Sequence, residues 1–182
     1  MHQNKISFPF ICVCGSFGDS QRYWSDPKEH LSHIFFDGAA AKELGGVGFV
    51  LLISASHFFH GKMGCIISTN TRVELLALSS LLSFAAYVGI PSLTVFGDSQ
   101  VIINWANQKA CLKVTTLELW CDRIRTTQAT FLSLRFQHIY REHNHMTDKL
   151  SKDPLNIGRG CLSFFEFMEV EKIFEGSFQA FS

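Results

Sequence analysis

The stretch HIFFDGAA, residues 33–40, joins an apolar, strand-like run to the carboxylate of Asp37. A sheet built from such a run would carry this carboxylate out of water. An ionised carboxylate in that position is costly unless it is paired with a cation or bound to a metal. Three further acids in similarly unfavourable settings, Glu74, Asp98 and Asp148, are therefore candidates for sharing whatever compensates Asp37.

Strands and helices alternate around this stretch in a pattern typical of an α/β fold. The sequence predicts, in order, strands at 33–37, 46–53 and 57–67, a helix at 71–88, a strand at 92–96, a helix from Ser99 to about Gln108, a helix opened by the capping box Thr115–Glu118, a strand at 132–140 and a helix carrying Asp148. Within the third strand, Gly61-Lys62 indicates either a bulge or the turn of a shorter hairpin. Strands joined by short turns are expected to be antiparallel and those joined by helices parallel. We therefore predict a mixed five-stranded sheet flanked by helices, with three antiparallel strands and then parallel additions.

The composition indicates one domain with a full core and two less regular ends. The chain has 182 residues, of which 47% are apolar, and this excludes wholesale disorder. Residues 1–30 predict an irregular N-terminal extension, whereas residues 31–153 contain the alternating elements. Residues 154–182 predict a C-terminal tail, in which 161–174 favour one aromatic-rich helix.

The charge balance excludes a strongly basic coat for nucleic acid. Because the net charge is +0, any binding to a phosphate backbone must be local. The six cysteines are scattered and include no pair of CxxC units, a pattern typical of reduced thiols in an intracellular protein, nuclear or cytoplasmic. We expect a monomer.

Two segments have a membrane-like composition. Residues 6–14 resemble a short signal segment, but they contain a proline and no clear cleavage site follows them. Residues 75–97 carry no charge and are long enough to span a bilayer. Serines, Gly89 and Pro91 divide this second run into a helix and a strand, which predicts a protein core and no membrane association.

Glu74 is the most unusual of the four acids, because it lies at the centre of its helix's apolar stripe. Stepping about 100° per residue from Glu74 places the apolar side chains of the helix on either side of it. These are Leu75, Ala77, Leu78, Leu81, Leu82, Phe84, Ala85 and Val88. Ordinary explanations exist for each acid taken alone, such as the helix dipole for Glu74 and a turn for Asp98. They do not explain why Glu74 points into its own apolar face.

The four carboxylates together indicate a site for hard metal ions. In the absence of a cysteine or histidine cluster, such a set favours Mg²⁺ or Mn²⁺ over zinc. Two such ions about 3.5–4 Å apart can activate a water and stabilise the leaving oxygen of a phosphodiester. Because Mg²⁺ also takes phosphate oxygens as ligands, a protein of neutral charge can still hold an anionic substrate.

Four segments in order carry a family resemblance. FFDGAA (35–40), STNTRVELLAL (68–78), FGDSQVIINW (96–105) and YREHNHMTDKLSK (140–152) resemble the ribonuclease H superfamily of type 1, and specifically the plant reverse-transcriptase-like, retrotransposon-derived ribonuclease H domain. This resemblance implies a ribonuclease H-like three-layer fold. It assigns Asp37, Glu74, Asp98 and Asp148 as catalytic ligands of two Mg²⁺ or Mn²⁺ ions. Polar contacts to the nucleic acid, or supports for the site, fall on Thr69, Asn70, Gln100 and Asn144.

The activity implied by the resemblance is metal-dependent endonucleolytic cleavage of the RNA strand of RNA–DNA hybrids. Two alternatives stay open: a catalytically weak or inactive nucleic-acid-binding module derived from a retrotransposon, and another nuclease on the same fold. Arg72 and Arg141 are candidates for a phosphate contact. Many family members carry a histidine on a loop before the last helix; here His138 is interpreted as a packed strand residue, and His143 as a partial substitute.

Overall fold

The computed structural model of the protein describes residues 12–14, 32–41, 44–66, 69–112, 115–153 and 160–179. In these ranges the strands are β1 (Cys12–Cys14), β2 (Ser32–Ala41), β3 (Leu44–Leu52), β4 (His57–Cys65), β5 (Ser92–Gly97), β6 (Ser133–His138), β7 (Cys161–Met168) and β8 (Glu171–Gln179). The helices are α1 (Asn70–Val88), α2 (Gln100–Ala106), α3 (Glu118–Gln128) and α4 (His145–Lys152), with 3-10 turns at Thr115–Leu117 and Arg141–His143.

All the described strands belong to one mixed sheet in the order β1-β8-β7-β4-β3-β2-β5-β6. The three strands joined by short turns, β2, β3 and β4, are antiparallel. The two strands reached through helices, β5 and β6, run parallel to β2. The predicted fold class is therefore confirmed, because the five predicted strands form the continuous run β4-β3-β2-β5-β6 within a wider sheet.

The core lies between the sheet and α1. The Phe84 ring of α1 packs against Phe49 of β3 and Phe59 of β4, with ring centroids 5.1 and 5.4 Å away. By length and composition alone α1 could cross a membrane, but 67% of that segment is buried inside the protein. This burial fits the predicted core helix.

Gly61 is neither a bulge nor a turn, contrary to both predictions for it. The strand β4 runs unbroken past this residue, and its pairing with β3 keeps one register from Cys65 to Phe58. A Cβ atom at Gly61 would instead collide with the ring of Phe49, the residue directly opposite. The glycine is therefore explained by packing of a large core ring.

The start of α3 also differs from the prediction. The capping box Thr115–Glu118 does not open the helix, because a 3-10 turn occupies Thr115–Leu117 and α3 begins at Glu118. Leu117 stands in the cap position with helical dihedral angles, and its apolar side chain forms no capping hydrogen bond. Ser99 does precede α2, as predicted, but its side chain makes no capping hydrogen bond.

The predicted helix at 161–174 is wrong, because β7 and β8 form an antiparallel hairpin there. Alternate residues of β7, Leu162, Phe164 and Glu166, are buried, which is the period of a strand. The strand β7 pairs with β4, so the sheet continues into the predicted tail. At the other end, Cys12–Cys14 pairs with β8, so the predicted irregular extension contains a strand; the rest of residues 1–30 lies outside the described residues.

Candidate metal centre

Asp37 and Asp98 meet where β5 ends beside β2. The last pair between these parallel strands is Phe36 with Gly97, so each aspartate is the next residue along its strand. Asp37 is 5% exposed. Because parallel strands bring equivalent ends to one edge of the sheet, the fold places the two carboxylates together.

Glu74 reaches the same place because Gly38 allows α1 to approach β2. A Cβ atom at Gly38 would lie 2.7 Å from the backbone nitrogen of Glu74 and 2.7 Å from the carbonyl carbon of Val73. Any other residue would push the first turn of α1 away from the sheet. The glycine that follows Asp37 thus determines how closely Glu74 can approach it.

The carboxylates of Asp37, Glu74 and Asp98 converge, with one oxygen of each within 4.8 Å of the others. The Oε2 atom of Glu74 is buried and has no hydrogen-bond partner within the described part of the chain. Burial, followed by the charges of Asp37 and Asp98, raises the pKa of Glu74 to about 9. Burial likewise raises the pKa of Asp37. Three oxygens that lack a positive partner are the donors that a hard divalent cation prefers, so these residues fit such an ion.

Asp148 stands apart from this cluster, because two cations hold its carboxylate. Arg141 Nη2 donates to Oδ1 at 2.9 Å, and Lys152 Nζ donates to Oδ2 at 2.6 Å. The hydrogen bond from Lys152, with help from Arg141, lowers the pKa of Asp148. The structure therefore groups three of the four predicted ligands, and the role of Asp148 as the fourth stays a prediction.

Ser151 is a part of the site that the sequence analysis missed. Its hydroxyl donates a 2.6 Å hydrogen bond to Oδ2 of Asp37. Gly48, directly opposite Asp37, makes this contact possible, since a Cβ there would lie 2.6 Å from the backbone nitrogen of Ser151. Ser151 follows Asp148 by three residues and therefore lies on the same face of the helix. This spacing is the sequence signal that could have identified Ser151 as part of the site.

Asn144 lies where it can support the site, which is one of the two roles predicted for it, and its contact with nucleic acid stays a prediction. It is 2% exposed, and its side-chain amide donates to the Phe36 carbonyl at 2.8 Å. The Thr147 hydroxyl bonds both the backbone and the side-chain oxygen of Asn144. Asn144 therefore fastens the start of α4 to β2 beside Asp37 and supports the site.

The other predicted contact residues lie on the surface. Thr69 and Asn70 begin α1 and Gln100 begins α2, and all three are exposed. The Gln100 amide nitrogen donates to Asn104 Oδ1 at 2.8 Å, one turn along the helix. These residues remain candidates for nucleic-acid contact.

His138 touches the site. Its Nε2 atom lies 3.2 Å from the carbonyl oxygen of Asp98 and donates a hydrogen bond to it, which holds the backbone beside the third carboxylate. It is a half-buried strand residue at the end of β6, as predicted. His143 and His145 are exposed.

The sheet order and the carboxylate cluster define a ribonuclease H-like α/β protein. Residues 35–153 match the family model described as reverse transcriptase-like, and the chain belongs to that family. No curated protein matches the sequence.

Solved structures of ribonuclease H1 proteins share the fold. RNase H1 from the halophilic archaeon Halobacterium salinarum NRC-1 is 27% identical, with a TM-score of 0.59 over 69% of this chain and 97% of that chain. LC11-RNase H1 in complex with an RNA/DNA hybrid is 24% identical, with a TM-score of 0.57 over 69% of this chain and 96% of that chain. The foamy viral protease-reverse transcriptase in complex with dsDNA is 17% identical, with a TM-score of 0.54 over 70% of this chain and 96% of that chain. The last two show the fold alone.

Proposed function

We propose that this protein is a metal-dependent endonuclease that hydrolyses the RNA strand of RNA–DNA hybrids. The observation that carries the proposal is the convergence of three carboxylates around the unpartnered, buried oxygen of Glu74 in a ribonuclease H-like fold. A buried acid without a cation destabilises the protein, so the cluster has a physical need for a positive ligand.

Asp37, Glu74 and Asp98 would hold Mg²⁺ or Mn²⁺ at the end of β5, and Asp148 would complete a site for two ions. When bound, such ions activate a water and stabilise the leaving oxygen of a phosphodiester. Ser151 keeps Asp37 oriented and favours its charged form. Departure of the 3′-oxygen would leave a 3′-hydroxyl and a 5′-phosphate.

The substrate would be a nucleic acid, and two observations support a hybrid. LC11-RNase H1 binds an RNA/DNA hybrid, according to its structure. Exposed Thr69, Asn70 and Gln100 stand at the starts of the two helices that follow the acidic strands. Short polar side chains in such positions suit the 2′-hydroxyls of a wide minor groove.

The decisive experiment compares the wild-type protein with Asp37→Asn and with Asp122→Asn, an exposed acid paired with Arg125. Labelled RNA–DNA hybrid, double-stranded RNA, and single strands of RNA and DNA are incubated in Mg²⁺ or Mn²⁺. We expect hybrid cleavage by the wild type and the control, and a loss of roughly 10³-fold or more in Asp37→Asn because an ion ligand is removed. Absence of cleavage of every substrate would contradict the proposal.

A second candidate function is nucleic-acid binding with little catalysis. The ion pairs that hold Asp148 favour it, because they withdraw the fourth carboxylate from the cluster. A mobility shift of the hybrid without cleavage would identify this case.

We further propose a monomeric protein, derived from a plant retrotransposon and located in the nucleus or cytoplasm. The free thiols of Cys65, Cys111, Cys121 and Cys161 support an intracellular location.

A further inference from the structure

Each oxygen of the Asp148 carboxylate accepts a hydrogen bond from a cation. Its Oδ1 accepts from Arg141 and its Oδ2 accepts from Lys152, while the other three acids converge without it. Each oxygen keeps a second lone pair, but the two positive charges oppose the approach of a divalent ion and fix the orientation of the carboxylate. The metal-free protein therefore presents three available carboxylates and one that is already engaged.

The two cations are held loosely enough to be displaced. The side chains of Arg141 and Lys152 are 72% and 53% exposed, and that of Asp148 is 21% exposed. Ion pairs between exposed side chains contribute little, since water and salt screen them. The arrangement is therefore a weak restraint on Asp148 and not a fixed part of the core.

Arg141 is also the cation best placed to meet a substrate. Its side chain is 72% exposed while it holds Asp148 Oδ1 at 2.9 Å, so it is open to an incoming phosphate at the predicted fourth ligand. Guanidinium groups bind phosphate through two parallel hydrogen bonds and hold it more specifically than lysine does. A backbone phosphate entering the site would compete with Asp148 for this side chain.

We propose that Arg141 and Lys152 hold Asp148 out of the metal centre in the nucleic-acid-free protein, and that a substrate phosphate releases Asp148 by binding Arg141. This inference rests on the proposed nuclease function and makes Arg141 a positioning residue that couples substrate binding to completion of the centre. The free protein then takes one divalent ion through Asp37, Glu74 and Asp98. The second ion binds tightly only when nucleic acid is present.

The test counts divalent ions by calorimetric titration with Mn²⁺ in the absence of nucleic acid. The wild type is compared with the double variant Arg141→Met and Lys152→Met, and with the same double variant carrying Asp148→Asn. Arg125→Met is the matched control, because Arg125 also forms an exposed ion pair within reach of its own helix. Arg141→Lys serves as the conservative variant.

We expect one tightly bound ion for the wild type and for Arg125→Met. In the double variant, the affinity for a second ion should be roughly tenfold higher than the affinity of the wild type for a second ion, equivalent to about 1.4 kcal/mol. This gain must disappear when Asp148→Asn is added. Removal of positive charge strengthens cation binding in general, and that general effect would survive the loss of Asp148. Arg141→Lys keeps the positive charge and should therefore bind one ion tightly, as the wild type does.

Two results would overturn the inference: a double variant with the same ion count and affinity as the wild type, or a gain that persists in the presence of Asp148→Asn. A second arm adds a hybrid whose RNA strand is 2′-O-methylated and resists cleavage. The wild type should then take a second ion, and failure to do so also contradicts the inference.

Failure of the proposed function would look different. If the wild type cleaves hybrid while the ion count is unaffected by the variants, the nuclease function stands and only the role of Arg141 is wrong. If the wild type binds no Mn²⁺ and cleaves nothing, both proposals fall together.

Discussion

Among the residues that the structure describes, two glutamates are withdrawn from water, and their surroundings differ in kind. Glu166 of β7 is 3% exposed and lies 2.8 Å from Nε2 of His57, at the start of β4. Glu74 of α1 has a buried oxygen with no partner and two further carboxylates beside it. The same side chain thus occurs once as half of a paired contact and once in a cluster of like charges.

Glu166 has a hydrogen-bond partner within the fold, whereas the buried oxygen of Glu74 has none among the described residues and is available to a ligand. The pair of His57 and Glu166 joins the C-terminal hairpin to the rest of the sheet, and each group compensates the other. Burial without such a partner raises the pKa of Glu74 to about 9, so the metal-free protein keeps this acid protonated at neutral pH. Burial of the acid therefore lowers the free energy of unfolding at Glu74 and not at Glu166.

Removing one partner from the paired acid should produce the larger effect on stability. We expect His57→Ala to lower the free energy of unfolding by about 3–5 kcal/mol, because it removes the ring nitrogen that forms a 2.8 Å hydrogen bond with the buried Glu166 carboxylate. Urea unfolding monitored by circular dichroism measures this change. Mn²⁺ affinity should stay within twofold of the wild type, and a large loss of metal binding would show that the two regions are not independent.

Replacing the unpaired acid with a neutral amide should have the opposite sign. We expect Glu74→Gln to raise the free energy of unfolding of the metal-free protein at pH 7 by roughly 1–3 kcal/mol, since one pKa unit corresponds to about 1.4 kcal/mol. Thermal and urea unfolding in EDTA measure the gain. Added Mn²⁺ should stabilise the wild type and leave Glu74→Gln nearly unchanged.

The pH dependence distinguishes this cause from a general packing effect. The folded-state pKa of Glu74, about 9, lies above its ordinary value of 4.5. The stability that protonated Glu74 contributes is therefore complete below about pH 4.5 and is lost as the pH rises towards 9. The wild-type curve should fall across this window relative to Glu74→Gln. Parallel curves for the two proteins would reject burial of the charge as the cause.

Ser151 tests the cluster with the smallest change. We expect Ser151→Ala to weaken Mn²⁺ binding roughly tenfold, because the hydroxyl that orients Asp37 and favours its charged form is lost. Calorimetric titration measures the affinity. Ser163→Ala on β7, away from the acids, is a suitable control, and equal affinities for the two variants would remove Ser151 from the site.

The main features of the fold and of the cluster could be predicted from the sequence because they follow from local patterns. Alternating strands and helices give the mixed sheet. The apolar stripe around Glu74 and the strand ends at Asp37 and Asp98 point to one edge of it. The ion pair between Lys152 and Asp148 could be predicted, because the two residues are four positions apart on one helix. Arg141 precedes that helix, and its approach depends on a 3-10 turn that no local pattern indicates.

The C-terminal hairpin could not be predicted for a related reason. Its turn carries no Asn-Gly or Asp-Gly signal, and Glu169 adopts a φ of 58°, which is uncommon for a side chain of this kind. Glu166 also interrupts the apolar alternation of β7. Its burial makes sense only with His57, which lies 109 residues earlier in the chain.

The hairpin also covers what would otherwise be an edge of the sheet. Residues 35–153, which match the family model, end before β7, so that segment alone would leave β4 as an open edge. Unpaired backbone along an apolar strand is a template for pairing with another copy of the chain. The hairpin covers this edge with β7 and β8. The strand β1 then pairs with residues 177–179 of β8, and the charged residues Glu171, Lys172 and Glu175 lie on the part of β8 that β1 does not pair with. A shortened fragment would keep every acid of the cluster and lose its solubility.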